Sequence, residues 1–247
     1  NSAAMNSMGI SFERGEGVPK NINKAMEWYA RAAKLGHSCA MFNLAVCYDR
    51  RGMKEDIFRA LDLYSQAADQ KHARAIHSLS LCFRHDDDDL PIIIEWAKRA
   101  SVNGNRFAQY HLGTAYKIGY GVTVDQTRAA ELFRDAALQD FSLAQLELAQ
   151  CYDKGLGVDQ DDRLAFIWYR ECAETGGPQD SKIEVALRLI QGKGTEINYW
   201  EAFRILVRIV DPSLPPTVVA LLFVVSTFLV IISIASDDIS KSIIIWE

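Results

Sequence analysis

Residues 108–137 read AQYHLGTAYKIGYGVTVDQTRAAELFRDAA. Ala108, Leu112 and Tyr116 stand four apart, a spacing that lines side chains along one face of an α-helix and that no strand can use. Gly119 and Gly121 then interrupt the pattern, and glycine permits the positive φ at which helices end and tight turns form. Asp125 stands four residues before Ala129, where a short carboxylate accepts hydrogen bonds from the free amides of a new helix. Ala129, Leu132 and Ala136 open a second helical face. One helix, a glycine turn and a second helix are therefore written into some thirty residues.

The same unit recurs along the chain. First-helix ladders stand at Ala4/Met8/Phe12, Ala40/Leu44/Tyr48, Ala75/Leu79/Phe83, Ala108/Leu112/Tyr116, Ala144/Leu148/Tyr152 and Ser181/Val185/Leu189. Second-helix ladders stand at Ala25/Trp28/Ala32, Ala60/Leu63/Ala67, Ile93/Trp96/Ala100, Ala129/Leu132/Ala136, Ala165/Trp168/Cys172 and Ala202/Ile205/Ile209. Asn21, Asp56, Asp89, Asp125, Asp161 and Asn198 precede them as expected N-caps. The Gly-x-Gly turn repeats at Gly15/Gly17, Gly155/Gly157 and Gly192/Gly194, is reduced to Gly52 in repeat two, and gives way to Asp86–Asp89 in repeat three. Self-similarity at this period predicts an all-α solenoid of six helix-turn-helix repeats. The repeats fall at about 1–37, 38–72, 73–105, 106–141, 142–177 and 178–210.

These residues resemble the Sel-one-like repeat family, whose consensus runs alanine, Leu-Gly, Tyr, Gly-x-Gly-Val, Asp, alanine, Trp-Tyr, Ala-Ala, Gly. Repeat four matches through Ala108, Leu112, Gly113, Tyr116, Gly119, Gly121, Val122, Asp125, Ala129, Ala136 and Ala137, and repeats one and five add Trp28-Tyr29 and Trp168-Tyr169. The resemblance extends over about residues 1 to 210. Tetratricopeptide repeats have a similar length but lack the Gly-x-Gly-Val turn.

Other functional classes find little support. With a formal net charge of −5, the chain has no basic field to hold a phosphate backbone, so nucleic acid is not an expected partner. No strand precedes the Gly-x-Gly turns, which disfavours a nucleotide cradle. The aspartates at 86–89 do not have calcium-loop spacing, and Asp89 already serves as a cap ahead of Pro91. His37, His72, His77, His85 and His111 show no ligand spacing. Cys47, Cys82 and Cys151 share one core position, while Cys39 and Cys172 suggest no partner, so the thiols read as reduced structural residues. No enzyme activity, cofactor, metal or small-molecule substrate is expected.

Beyond the repeats the composition changes. Pro212, Pro215 and Pro216 mark a linker over 211–216, and the run 217–236 contains no charged residue, enough at a helical rise to span the ~30 Å of a bilayer core. A transmembrane helix over 217–236, a short tail over 237–247 and a single-pass membrane localisation are expected. The ER membrane is one candidate. Arg204 and Arg208 on one flank, against Asp237, Asp238 and Lys241 on the other, favour cytosolic repeats. Because the chain opens at Asn1 inside a helical pattern, an upstream segment is also expected, and it could impose the opposite topology.

The expected function is a membrane-anchored scaffold for protein or peptide partners. By resemblance, repeats followed by one membrane helix point to family members that recruit substrates to the ubiquitin ligase of ER-associated degradation. Two alternatives stay open: a regulatory scaffold of the chitin synthase activator or bacterial signalling type, and the accessory domain of an enzyme whose catalytic part lies upstream. Counting 100° per residue, positions two before and two after the ladder leucine face away from the core. Phe42, Val46, His77, Leu81, Tyr110, Thr114, Leu146 and Gln150 occupy them and form the candidate partner-binding groove.

Overall fold

The computed structural model describes residues 1–83 and 89–210, and every regular element among them is an α-helix. The chain divides into two units, Asn1–Gln139 and a second that begins at Asp140. The first holds α1 (Ser2–Arg14), α2 (Ile22–Lys34), α3 (Ser38–Asp49), α4 (Lys54–Asp69), α5 (Ala73–Cys82), α6 (Leu90–Val102), α7 (Arg106–Ile118) and α8 (Gln126–Ala137). The second holds α9 (Ser142–Lys154), α10 (Asp162–Glu174), α11 (Gln179–Gln191) and α12 (Tyr199–Val210). Within each unit, helices pack chiefly on their neighbours in sequence, as expected for an all-α solenoid.

Small residues set the packing. Ala25, Ala32, Ala40, Ala60, Ala67 and Ala75 of the first unit, and Ala144, Ala149, Ala165 and Ala186 of the second, are almost fully buried and allow close helix approach. Tyr29, Leu79, Trp96 and Phe133 fill the space between them in the first unit, each side chain gaining about 2–3 kcal/mol from leaving water.

A recurrent set of backbone hydrogen bonds shapes the turns. The amides of Asn21, Asp125, Asp161 and Asn198 donate to the carbonyls of Phe12, Tyr116, Tyr152 and Leu189 at 2.8, 3.0, 3.0 and 2.9 Å. Each bond satisfies a carbonyl left open at the end of one helix and fixes the start of the next. The same four residues then cap the new helix, their side chains accepting from Lys24, Arg128, Leu164 and Glu201 amides at 2.9–3.0 Å. The second glycine of the turn answers a separate need. At Gly194 φ is +72°, and a side chain there would run into the carbonyl of Asp162 at the start of α10.

Repeat two corrects one expected cap. Its link between α3 and α4 is Arg50–Met53, so α4 starts early and Met53 occupies the N-cap without a side-chain hydrogen bond. Asp56 consequently lies inside the first turn, buried, with ion pairs to Arg51 at 3.3 Å and Arg59 at 3.1 Å. Asp89 precedes α6 as expected, although its side chain makes no capping bond. Asp86, Asp87, Asp88 and His85 lie outside the described residues.

The expected membrane helix also requires correction. No helix among the described residues is long and apolar enough to cross a membrane. The longest, α4, has 16 residues, or about 24 Å against a ~30 Å hydrocarbon core, and buries only one face. The proposed spanning segment 217–236 lies outside the described residues, together with the 211–216 linker and the 237–247 tail. The expected transmembrane helix and single-pass membrane localisation find no support among the described helices.

Candidate protein-interaction surface

The first-helix positions proposed as a groove have unlike environments. Phe42 is only 6% exposed. Its ring stacks on His72 at 5.1 Å, approaches Tyr64 at 5.8 Å, and is covered by the Arg74 guanidinium at 4.8 Å. His72 is held there because its Nδ1 accepts from the Ala75 amide at 3.2 Å, capping α5, and His37 caps α3 on Ala40 in the same way. Sequence reading missed both caps, although each histidine stands just before a first helix. Burial, with the Arg74 charge adding to it, moves the His72 imidazole below its usual range.

Tyr110 enters a different aromatic group. Its ring lies 5.1 Å from His111 and 6.1 Å from Phe133, and His111 stacks flat on Phe83 at 4.3 Å. Burial pushes the His111 imidazole down to about 4, which keeps it neutral against the ring. Thr114 is half-buried and donates its hydroxyl to the Tyr110 carbonyl at 3.0 Å. Val46 and Leu81 are half-buried and His77 is exposed. Within the first unit, Phe42 and Tyr110 thus belong to separate packing groups.

In the second unit Leu146 is half-buried against the core formed by Ala149, Ala165, Phe166, Val185 and Leu189, with Gln150 half-buried one turn on. The residues that stand out are on α11. Ile183, Leu187 and Ile190 are 38%, 42% and 38% exposed at i, i+4 and i+7, an apolar stripe along one side of the helix. Applying the two-before, two-after rule to Val185 would have found Ile183 and Leu187.

Behind that stripe α11 carries a buried charge. Arg188 is completely buried at the position just before the ladder's third residue, where repeats two, three and five have Cys47, Cys82 and Cys151. Its guanidinium meets Asp153 at 2.5 Å and Glu184 at 3.1 Å, lies 5.0 Å from the Tyr169 ring centre, and donates to the Asp162 carbonyl at 3.4 Å. Lys193 from the Gly-x-Gly turn reaches Asp153 at 2.6 Å. Burial alone would raise the Asp153 carboxyl, but hydrogen bonds from Lys193 and Arg188 hold it below the usual carboxylate range. The arrangement ties α9, α11 and the last turn together and leaves no open catalytic geometry. Among the described residues no three histidine, cysteine or acidic side chains converge as a metal site would need.

A profile of the Sel1 repeat matches residues 2–37, 40–72, 106–141 and 142–176, more than half of the chain. The chain belongs to the Sel1 repeat family. Repeats three and six are not matched, yet each supplies two helices, α5 and α6 in repeat three and α11 and α12 in repeat six. They are the repeats in which turn glycines give way to aspartates and a core cysteine position holds Arg188. The Sel1 chain is 28% identical to chitin synthase regulatory factor 3 of Schizosaccharomyces pombe over 64% of its length and 18% of that protein's. It is also 28% identical to the ERAD-associated E3 ubiquitin-protein ligase component HRD3A of Arabidopsis thaliana, over 79% of the chain and 25% of the relative. The chain thus spans a quarter or less of these relatives.

Among solved structures, a Sel1 repeat protein of Oxalobacter formigenes is 29% identical with a TM-score of 0.55, covering 87% of this chain and 88% of that one. A protective antigen of uropathogenic Escherichia coli with an SLR fold is 26% identical with a TM-score of 0.58, covering 87% and 46%. Both neighbours share the Sel1 repeat fold with this chain.

Proposed function

We propose that this Sel1 repeat chain is a non-catalytic adaptor that captures polypeptide partners on the solvent side of its first helices. The observation that carries the reading is the row Ile183, Leu187 and Ile190, which remains exposed while the opposite side of α11 is buried. Aliphatic side chains in a row at helical spacing suit the anchors of an amphipathic helix or extended segment. Val46, His77, Leu81, Tyr110, Thr114, Leu146 and Gln150 extend the proposed surface in their own units, with Phe42 as a packing support. The names of two relatives, a regulatory factor and a ligase component, support service to a larger assembly, whether in ER-associated degradation or in chitin synthase regulation.

Site-directed photo-crosslinking tests this reading. A photoreactive residue at Leu187 is expected to label a defined polypeptide partner in cells, and the same residue at Ile167, an exposed apolar position on α10, is not. Ile183→Glu should abolish the Leu187 product. Equal labelling from both positions, or a product insensitive to Ile183→Glu, refutes the reading.

A further inference from the structure

The second unit has another feature that the first-helix surface does not use. Between α10, α11 and α12 lies a cavity of about 340 Å³, within the range of small-ligand and side-chain pockets. Its floor is apolar, formed by Ala173, Val185, Ile205 and Ile209. Its rim is charged and unbalanced. Arg170 is engaged by Glu174 at 3.0 Å, and Glu201 is approached by the Asn198 amide at 3.4 Å. Lys182, Arg204 and Arg208 line the same cavity, and none makes an ion pair among the described residues. Arg204 and Arg208 stand one helical turn apart, so their guanidinium groups project along a common side of α12.

We propose that this pocket docks an acidic polypeptide segment. Carboxylates of the segment pair with Arg204, Arg208 and Lys182, and an apolar side chain between them enters the floor against Val185 and Ile205. Arginine presents a planar fork that matches a carboxylate with two parallel hydrogen bonds. Cations that have no ion pair among the described residues, set around an apolar floor, suit a segment in which acids flank a hydrophobic residue. They disfavour a purely apolar helix, which would leave the rim's excess of two positive charges unmatched on burial. The net charge of the whole chain is −5, so this local excess of positive charge also steers an acidic segment to one place. Lys182 and Val185 lie on a side of α11 well away from Ile183, Leu187 and Ile190, by the ~100° turn per residue, so the pocket is a second site.

The test uses the full chain and a fluorescein-labelled peptide of alternating aspartate and leucine, read by fluorescence anisotropy. Companion peptides alternate lysine with leucine and aspartate with serine. The aspartate–leucine peptide is expected to bind, more weakly as salt rises, and better than either companion. Arg204→Glu with Arg208→Glu should weaken it at least about tenfold, while Leu187→Glu leaves it unchanged. Arg204→Gln with Arg208→Gln provides a milder pair should the charge reversal disturb the helical circular dichroism. The proposal is overturned if the wild-type chain does not bind the peptide, or if both arginine pairs bind as tightly as wild type. Sensitivity to Leu187→Glu alone would move the site to the α11 stripe. Self-association lost in the arginine variants, without peptide binding, would give the pocket to a second copy of the chain.

Discussion

Replacing Arg188 with alanine isolates the buried ionic cluster of the second unit. The side chain is 1% exposed, and the change removes its contacts to Asp153 and Glu184 together with the face of Tyr169. Stranding a buried ion costs about 3–5 kcal/mol when it loses its sole partner. Here Asp153 keeps Lys193 at 2.6 Å and Glu184 is 35% exposed, so both acids remain partly solvated or paired. The lost cation–π contact adds roughly 1 kcal/mol, and the emptied volume adds a cavity term. The expected loss is about 3 kcal/mol, or a fall in Tm of roughly 6–12 °C. Arg188→Lys retains the charge without the fork and should lose about half as much.

Arg188→Cys installs the residue that three other repeats carry and should fare no better than alanine, since the acids stay behind. Adding Asp153→Asn to Arg188→Ala should recover about 1 kcal/mol, because neutralising the acid removes what the arginine balanced. Urea unfolding followed by far-ultraviolet circular dichroism measures all four variants. An Arg188→Ala chain within 1 kcal/mol of wild type would refute this account. The pH dependence has a defined sign. Asp153 is held below its unfolded value near 4, so its contribution is full above that pH and fades as pH falls through the lower folded value.

Gly194→Ala should cost more than about 2 kcal/mol by the same assay, since it strains a positive φ and collides with the Asp162 carbonyl. His111 is neutral when folded, so its contribution is complete above pH ~6.5 and is lost as pH falls toward 4, by no more than about 3 kcal/mol. His111→Gln should flatten that part of a Tm-versus-pH profile, and an unchanged profile would contradict the assigned burial. Phe42→Glu places a carboxylate at a 6% exposed position and should cost at least about 3 kcal/mol, read by urea unfolding. Val46→Glu, at a half-buried position, should cost about 1 kcal/mol or less.

The helix pairs were legible in the sequence because each rests on local physics. Ala108/Leu112/Tyr116 and Ala129/Leu132/Ala136 carry a helical period, Gly119 permits the exit, and Asp125 both caps and anchors the next helix. Those features act within a few residues, so spacing alone reveals them. The early start of α4 was less legible, since it depends on how a shortened link is closed once α3 and α4 pack. The candidate surface was legible only in part. A fixed angular offset from the ladder leucine finds solvent-facing positions on an isolated helix, but Phe42 is enclosed by His72, Tyr64 and Arg74 from neighbouring helices. Arg188 shows the same limit: its residue type suggests a surface, and only Asp153, Glu184 and Tyr169 converging from α9, α11 and α10 make a buried position tolerable. By itself, then, the sequence determined the repeat, its helices and its family resemblance, because period and capping are local. Burial, charge pairing and the exposed stripe on α11 were decided only by tertiary packing, because each depends on what residues distant in sequence bring alongside.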